Sequence, residues 1–162
     1  MNFSENSRIW IYQSNRELNT TEMERLQHIL NEFTTDWTAH NNLLKAKAEV
    51  RYNRFIILTV DESQTGATGC SIDKSVTLMK SLEHEFHINL FDRFNTAYRD
   101  EQNNIATANR AEFEELIKQG KVNADTIVFN NLVNKLGDVA TQWEVTYKNS
   151  WHKQVFGDLV TA

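Results

Sequence analysis

Hydrophobic and polar positions alternate along this chain in patterns typical of strands and of helices. Between Leu44 and Tyr52 every second residue is apolar and the residues between them are charged. This period of two predicts a strand with one buried face, although alanine and lysine also favour helices. The next segment, Phe55–Val60, is apolar almost throughout, which is typical of a strand covered on both faces. It is the best candidate for the central strand.

Three segments repeat apolar residues every three or four positions, which predicts amphipathic helices. A Thr-x-x-Glu pattern before the first helix and an Asn-x-x-Glu pattern before the third are typical of helix caps. We interpret the apolar stripes as faces that pack against the core. The predicted helices run from Thr21 to Trp37, from Ile72 to Phe86, and from Asn109 to the stop at Gly120.

Short β-rich segments, among them Arg8–Gln13 and Thr126–Val133 (TIVFNNLV), complete the predicted order. This order is β-α-β-β-α-β-β-α-β with a further strand near Trp143–Tyr147. Adjacent strands joined by short turns imply antiparallel pairing. We therefore expect an α+β fold with a mixed, mainly antiparallel sheet and helices packed on one face. The expected boundary separates a β-α-β-β-α subdomain at residues 1–90 from a β-β-α-β subdomain at 91–162, the two forming one compact unit.

The composition limits the classes of partner. The chain has 162 residues, a net charge of −5 and a sequence pI near 5.5, which disfavours nucleic acid and anionic membrane surfaces as partners. No apolar run reaches the ~18 residues of a membrane span. The single cysteine excludes an internal disulfide and a multi-cysteine zinc site. We expect a cytoplasmic protein with no cofactor and no metal.

The polar segment Asp61–Ser71 (DESQTGATGCS) is the main candidate site, because it joins the predicted central strand to a helix start where ligands often bind. Its carboxylates can hold a divalent ion or act as a base, and its cysteine can act as a nucleophile. The same residue types also form turns, caps and buried packing. The predicted ligand-binding residues are Asp61, Glu62, Ser63, Cys70, Ser71 and Asp73, with Trp37, His40 and Arg93 as weaker additions.

Several strings of the chain are similar to those of a known family. They are FTTDWTAH (33–40), FIILTVDES (55–63), GATGCSIDKSV (66–76), FDRF (91–94), TIVFNNLV (126–133) and Ser150-Trp151-His152. They resemble an uncharacterised family of short bacterial proteins that carry the automatic label "ABC transporter ATPase". A P-loop needs G-x-x-x-x-G-K-[ST], whereas Gly66–Ser71 has no lysine and only two residues between its glycines. We therefore expect no ATPase activity.

Residues 98–143 carry a second, weaker resemblance. The run AEFEELIKQGKVNADTIVF (111–129), followed by a tryptophan, resembles the pattern of GYF-like small domains, whose members bind proline-rich peptides. The Gly-Pro pair and most of the aromatic patch that form the peptide groove are missing from this sequence. The resemblance therefore concerns the local fold.

Two hypotheses of function follow. The first is a non-catalytic protein that binds an unknown small molecule or protein and can form a homodimer. The alternative is a small hydrolase or a thiol-dependent enzyme that uses the Asp61–Asp73 loop. Because the sequence shows no complete acid–base or nucleophile–base set, the first hypothesis is favoured.

Overall fold

The computed structural model describes residues 2–157 and shows an α+β fold with two compact units. Among the described residues, the first unit comprises 2–91 together with Val133–Asp138, and the second comprises Asp92–Leu132 with 139–157. Hydrogen bonds hold Val133–Asp138, which follow part of the second unit in the chain, in the first unit. The N–H of Leu136 donates to the carbonyl of Ser7 at 2.9 Å, and the N–H of Ile9 donates to Asn134 at 3.1 Å.

A three-stranded antiparallel sheet and two long helices form the first unit. The central strand has all seven residues buried, as its apolar sequence predicts. The sheet order is β1-β5-β4, and a small separate ladder joins β2 to β3. The elements are β1 (Arg8–Gln13), α1 (Thr20–Asp36), β2 (Thr38–Ala39), β3 (Asn42–Leu43), β4 (Lys45–Arg51), β5 (Phe55–Asp61) and α2 (Gly69–Phe86).

Both helices pack on one face of this sheet. Leu26 and Leu30 of α1 and Met79 of α2 share a buried cluster with Ile56 and Leu58 of β5. Since side chains alternate along a strand, these two β5 residues lie on the same face. The outer edge of β4 is also covered, because the side-chain amide of Gln27 donates to the carbonyl of Ala48 at 3.1 Å.

The two helices of the first unit begin earlier than their sequence patterns predict. The cap of α1 is Asn19, whose side chain accepts the N–H of Glu22 while the glutamate side chain accepts the N–H of Asn19. The predicted cap at Thr21 is therefore wrong. Helix α2 begins at Gly69 after the cap Thr68, so Cys70 and Ser71 are helical rather than part of a loop.

The second unit contains a four-stranded antiparallel sheet with the order β7-β6-β8-β9. Its longest helix begins after the cap Asn109, as predicted, and Gly120 follows its end with a φ of +73° that favours glycine. The elements are β6 (Thr96–Arg99), β7 (Ile105–Ala108), α3 (Arg110–Lys118), β8 (Ile127–Phe129), β9 (Glu144–Thr146) and α4 (His152–Phe156).

The core of the second unit is aromatic. The Phe113 ring is fully buried and contacts Tyr98, Tyr147 and Phe156, with ring centroids 5.9, 6.4 and 4.7 Å away. Val128 of β8 completes the same cluster. Phe113 is the buried side chain of α3, and Leu116 and Ile117 pack against the same cluster while partly buried.

The predicted α+β class and the order of the main elements are confirmed. The strands form separate antiparallel ladders in the two units rather than a single sheet. The β2–β3 ladder, helix α4 and the return of residues 133–138 to the first unit were not predicted. Within residues 2–157, the structure contains no helix with the length and apolar character needed to cross a membrane.

Candidate functional site

Asp61 ends β5, and its side chain is buried. Its carboxylate accepts the N–H groups of Ser4 and Ser63, each at 3.1 Å, and lies 3.4 Å from the ammonium group of Lys45. The Ser63 hydroxyl and these donors favour the charged form and hold the pKa of the Asp61 carboxyl well below its usual range. Such a carboxylate is a weak base. Its bonds attach the N-terminal segment to the sheet.

Glu62 closes the turn that follows. Its Oε2 accepts the N–H of Ala67 at 2.8 Å, and a Cβ at Gly66 would lie only 3.2 Å from that oxygen. The two adjacent carboxylates of the loop therefore bind different parts of the backbone. We interpret this arrangement as support for the loop rather than as a pair of ligands for one ion.

Ser71 links the start of α2 to the end of α1. Its side chain and that of Thr68 form a reciprocal cap, in which the N–H of Thr68 donates to Ser71 Oγ at 2.7 Å. The buried carbonyl of Ser71 accepts the indole N–H of Trp37 at 2.8 Å. The structure therefore brings together two of the predicted site residues, Ser71 and Trp37, through a structural hydrogen bond.

The remaining predicted residues are exposed. Cys70 and Asp73 lie in the first turns of α2, and Arg93 belongs to the second unit. His40 and Asn41 both have positive φ and form the two-residue turn between β2 and β3, a backbone role that histidine tolerates. Ligand binding by these residues stays a prediction.

The exposed thiol of Cys70 leads to a direct prediction. Iodoacetamide should alkylate the folded protein at a rate within about threefold of that in urea, because the thiol is already accessible. Mass spectrometry measures the adduct, and Cys70→Ser should give none, since the chain has one cysteine. Protection of the folded thiol by more than about a hundredfold would show that Cys70 is buried.

A cavity of about 340 Å³ lies beside the predicted site, between α1 and α2. We call it the α1–α2 groove. The helices run antiparallel along it, since Arg25 is 3.4 Å from Glu85 near one end and Trp37 meets Ser71 near the other. Its lining residues are Ile29, Glu32, Phe33, Asp36, Trp37, Thr38, Lys74 and Leu78.

Four of the eight residues that line the groove are apolar, namely Ile29, Phe33, Trp37 and Leu78. The Trp37 ring is 2% exposed and contacts the Phe33 ring, with centroids 4.9 Å apart. Because its N–H is bonded to Ser71, the indole is held in one orientation. Ile29, Phe33 and Leu78 are half-buried and present apolar surface to the cavity.

An exposed leucine extends this apolar surface. Leu43 lies directly opposite Thr38 in the β2–β3 ladder, so the two side chains lie on the same face. Thr38 lines the groove, and Leu43 is 66% exposed. The groove and Leu43 together form an apolar surface on the first unit that is larger than the cavity alone.

Charged side chains border the groove. Glu32 and Asp36 are exposed and one turn apart on α1, while Lys74 is exposed on α2. The imidazole of His28 lies 3.1 Å from the Glu32 carboxylate. At neutral pH the lining therefore contains two carboxylates and one ammonium group, and its α1 side is acidic.

A metal centre needs a cluster of ligand side chains, and many hydrolases use a serine–histidine pair. Within residues 2–157 no three His, Cys, Asp or Glu side chains converge as a metal site requires. Ser150 Oγ lies 3.2 Å from His152 Nδ1, a pairing seen in hydrolases. However, the hydroxyl donates to the Tyr147 carbonyl at 2.9 Å, and the imidazole is 1% exposed. This pair is a buried structural contact of the second unit.

Comparisons with models of known protein families, with curated proteins and with solved structures give no match for this chain. The functional interpretation therefore depends on the side chains themselves.

Of the residues that line the groove, Trp37 alone is among the site residues that the sequence predicts. Ile29, Glu32, Phe33 and Asp36 follow a spacing of three, one and three, which places them on one helix face. That pattern is detectable in the sequence, but the more apolar stripe through Leu26 and Leu30 dominates the helix. The groove face is half apolar and half charged, so it looks like an ordinary exposed surface.

Proposed function

We propose that this chain is a non-catalytic protein that binds an amphipathic, basic segment of a partner protein in the α1–α2 groove. The observation that carries the proposal is the combination of half-buried apolar side chains with an acidic border in one cavity. No nucleotide hydrolysis is part of this function, since the sequence has no P-loop.

The apolar part of the groove provides the binding free energy. Ile29 and Leu78 pack against the main core cluster and Phe33 packs against the cluster around Trp37, so little side-chain entropy is lost when a partner covers them. Each apolar Å² removed from water contributes roughly 25 cal/mol. Leu43 offers additional exposed apolar area next to them. An inserted leucine or phenylalanine of the partner would have contacts on several sides.

The charged border provides selectivity. Glu32 and Asp36 attract lysine or arginine on a partner segment and disfavour acidic segments. The two carboxylates are exposed, so their effect acts mainly on association rate and salt dependence. A basic residue beside an apolar anchor fits this border, whereas an acidic residue there would be repelled.

The hydrogen bonding of the Asp61–Ser71 segment favours binding over catalysis. Asp61, Glu62 and Ser71 each engage the backbone of this chain. Asp61 holds the N-terminal segment on the sheet, and Glu62 closes the loop. Ser71 joins the start of α2 to Trp37 at the end of α1, beside the groove. The loop that resembled an active site in sequence is thus better explained as the support of a binding surface.

A model peptide tests this proposal. An amphipathic peptide of about sixteen residues, with leucines on one face and lysines on the other, should give saturable NMR shifts at the groove residues. The double variant Glu32→Lys/Asp36→Lys should weaken its affinity about tenfold or more. The shifts are followed in ¹H–¹⁵N spectra of the labelled protein.

Two controls distinguish specific binding in the groove from nonspecific binding of the peptide. Glu24→Lys changes the charge of an exposed residue on the same helix outside the groove and should leave affinity within about twofold. A peptide with glutamate in place of lysine should bind about tenfold more weakly. Shifts scattered over the first unit, or an equal loss with Glu24→Lys, would refute the proposed site.

A further inference from the structure

The second unit carries two exposed apolar side chains at one end of its sheet. Phe94 is 71% exposed and Leu132 is 70% exposed. Tyr98 of β6 lies opposite Val128 of β8. Phe94 comes four residues before the β6 member of this pair, and Leu132 comes four residues after its β8 member. Because these strands are antiparallel, both residues leave the sheet at the same end. Grouped apolar side chains on a surface are typical of protein–protein contacts.

A basic side chain adjoins the exposed phenylalanine. Arg93 precedes Phe94 in the chain and is exposed as well. The carboxylate of Asp92 accepts the N–H of Phe94 at 2.9 Å, and this turn fixes the backbone that presents the ring. The segment therefore combines an apolar anchor with a neighbouring cation, which is the combination that the α1–α2 groove selects.

We infer that the partner bound in the α1–α2 groove is a second copy of this chain, which inserts Phe94 into the groove and places Arg93 at its acidic border. This inference rests on the function proposed for the groove and names the partner. The groove belongs to the first unit and Phe94 to the second. Each copy can therefore supply the anchor for the other copy's groove.

The groove has room for the phenylalanine side chain. A cavity of roughly 150 Å³ holds a benzene ring, and the groove measures about 340 Å³. The half-buried Phe33 lines it beside Ile29 and Leu78, so the inserted ring gains an aromatic contact together with aliphatic ones. Insertion removes most of the exposed surface of Phe94 from water, which is the main gain in free energy.

The charges of the two surfaces are complementary. Glu32 and Asp36 on the α1 side are opposite in charge to Arg93, whose guanidinium group can bond a carboxylate through two N–H groups. Lys74 on the α2 side is opposite in charge to Asp92. A two-fold symmetric dimer contains this contact twice, so two contacts that are weak individually can hold it together.

Sedimentation velocity between about 10 and 500 µM protein tests the inference. The wild-type chain should associate as its concentration rises. Phe94→Ala should weaken this association about tenfold or more, as expected for the loss of an apolar anchor. The matched control is Val155→Ala, which truncates another exposed apolar residue of the second unit and should change the association by no more than about twofold.

A mixture of two variants identifies the surfaces in contact. Phe94→Ala keeps the groove but lacks the anchor, whereas Glu32→Lys/Asp36→Lys keeps the anchor but reverses the charge of the groove border. Each variant alone should associate about tenfold or more weakly than the wild type. Unlabelled Glu32→Lys/Asp36→Lys added to ¹⁵N-labelled Phe94→Ala should give saturable NMR shifts at Ile29 and Phe33. Unlabelled Phe94→Ala added to the same labelled protein should give none.

The possible failures are distinguishable. A wild-type protein that stays monomeric over this range, while its groove still binds the amphipathic model peptide, would overturn the second-copy inference and leave the function proposed for the groove intact. A protein that neither associates nor binds the peptide would overturn both. Association that Phe94→Ala leaves unchanged, or shifts in the mixture that lie outside the groove, would overturn Phe94 as the inserted residue.

Discussion

Replacing Phe113 with alanine is expected to destabilise the second unit by about 3–5 kcal/mol, the range for truncating a buried phenylalanine. The ring is fully buried and contacts Tyr98, Tyr147 and Phe156, so its loss leaves a cavity that three aromatic neighbours cannot fill. Urea denaturation, followed through NMR signals of β6 and β8, measures the free energy of unfolding of this unit.

Lys118→Ala is the matched control for this change, because Lys118 is exposed on the same helix. It should alter the unfolding free energy by no more than about 0.5 kcal/mol. Phe113→Leu, which retains much of the volume, should fall between the two variants. Equal denaturation midpoints for Phe113→Ala and Lys118→Ala would show that α3 does not pack through this residue.

The strands were predictable where local hydrophobicity alone decides burial. Phe55–Asp61 is buried along its whole length, and the alternating segment before it forms β4 as predicted. Exposed Tyr52 departs from the alternation because it lies in a turn with a φ of +56°. The predicted strand TIVFNNLV shortens to Ile127–Phe129 because the following asparagines bond to other segments, with Asn131 accepting the indole N–H of Trp143.

Helix starts were less predictable, because contacts distant in sequence choose between competing caps. Two overlapping patterns, Asn19–Glu22 and Thr21–Glu24, precede α1. The first is used because Arg16 contacts the Glu22 carboxylate at 2.6 Å and also donates to the carbonyl of Phe86. The Arg16 guanidinium and the Asn19 N–H lower the pKa of Glu22 to about 2. No local pattern could indicate the contact with Phe86.

The roles of the site residues also depend on distant partners. The sequence predicts Asp61 as a ligand-binding residue because it follows the central strand, but the N–H of Ser4, 57 positions away, donates to its carboxylate. The α1–α2 groove needs Lys74 and Leu78 opposite Ile29 and Phe33, and that pairing is set by the antiparallel packing of two helices. The sequence determines which side chains exist on each face, whereas the fold determines which faces meet.

Lowering the pH from about 7.5 to 5 is expected to reduce the free energy of unfolding of the second unit by about 2 kcal/mol, through protonation of His152 alone. The imidazole is 1% exposed, and burial lowers its pKa from 6.5 to about 4. Between these values the unfolded chain binds a proton that the folded protein excludes, so stability falls as the pH falls. This contribution is complete above pH 6.5 and is lost towards pH 4, a total of about 3 kcal/mol.

His152→Phe isolates this effect, because the variant keeps a ring for stacking on Trp151 but cannot be protonated. The other four histidines, His28, His40, His84 and His87, are exposed and present in both proteins. The difference in unfolding free energy between wild type and variant should therefore change by about 2 kcal/mol over this pH range. Parallel pH profiles for the two proteins, or NMR titration of the His152 ring near pH 6.5, would show that the ring is accessible to protons in the folded state.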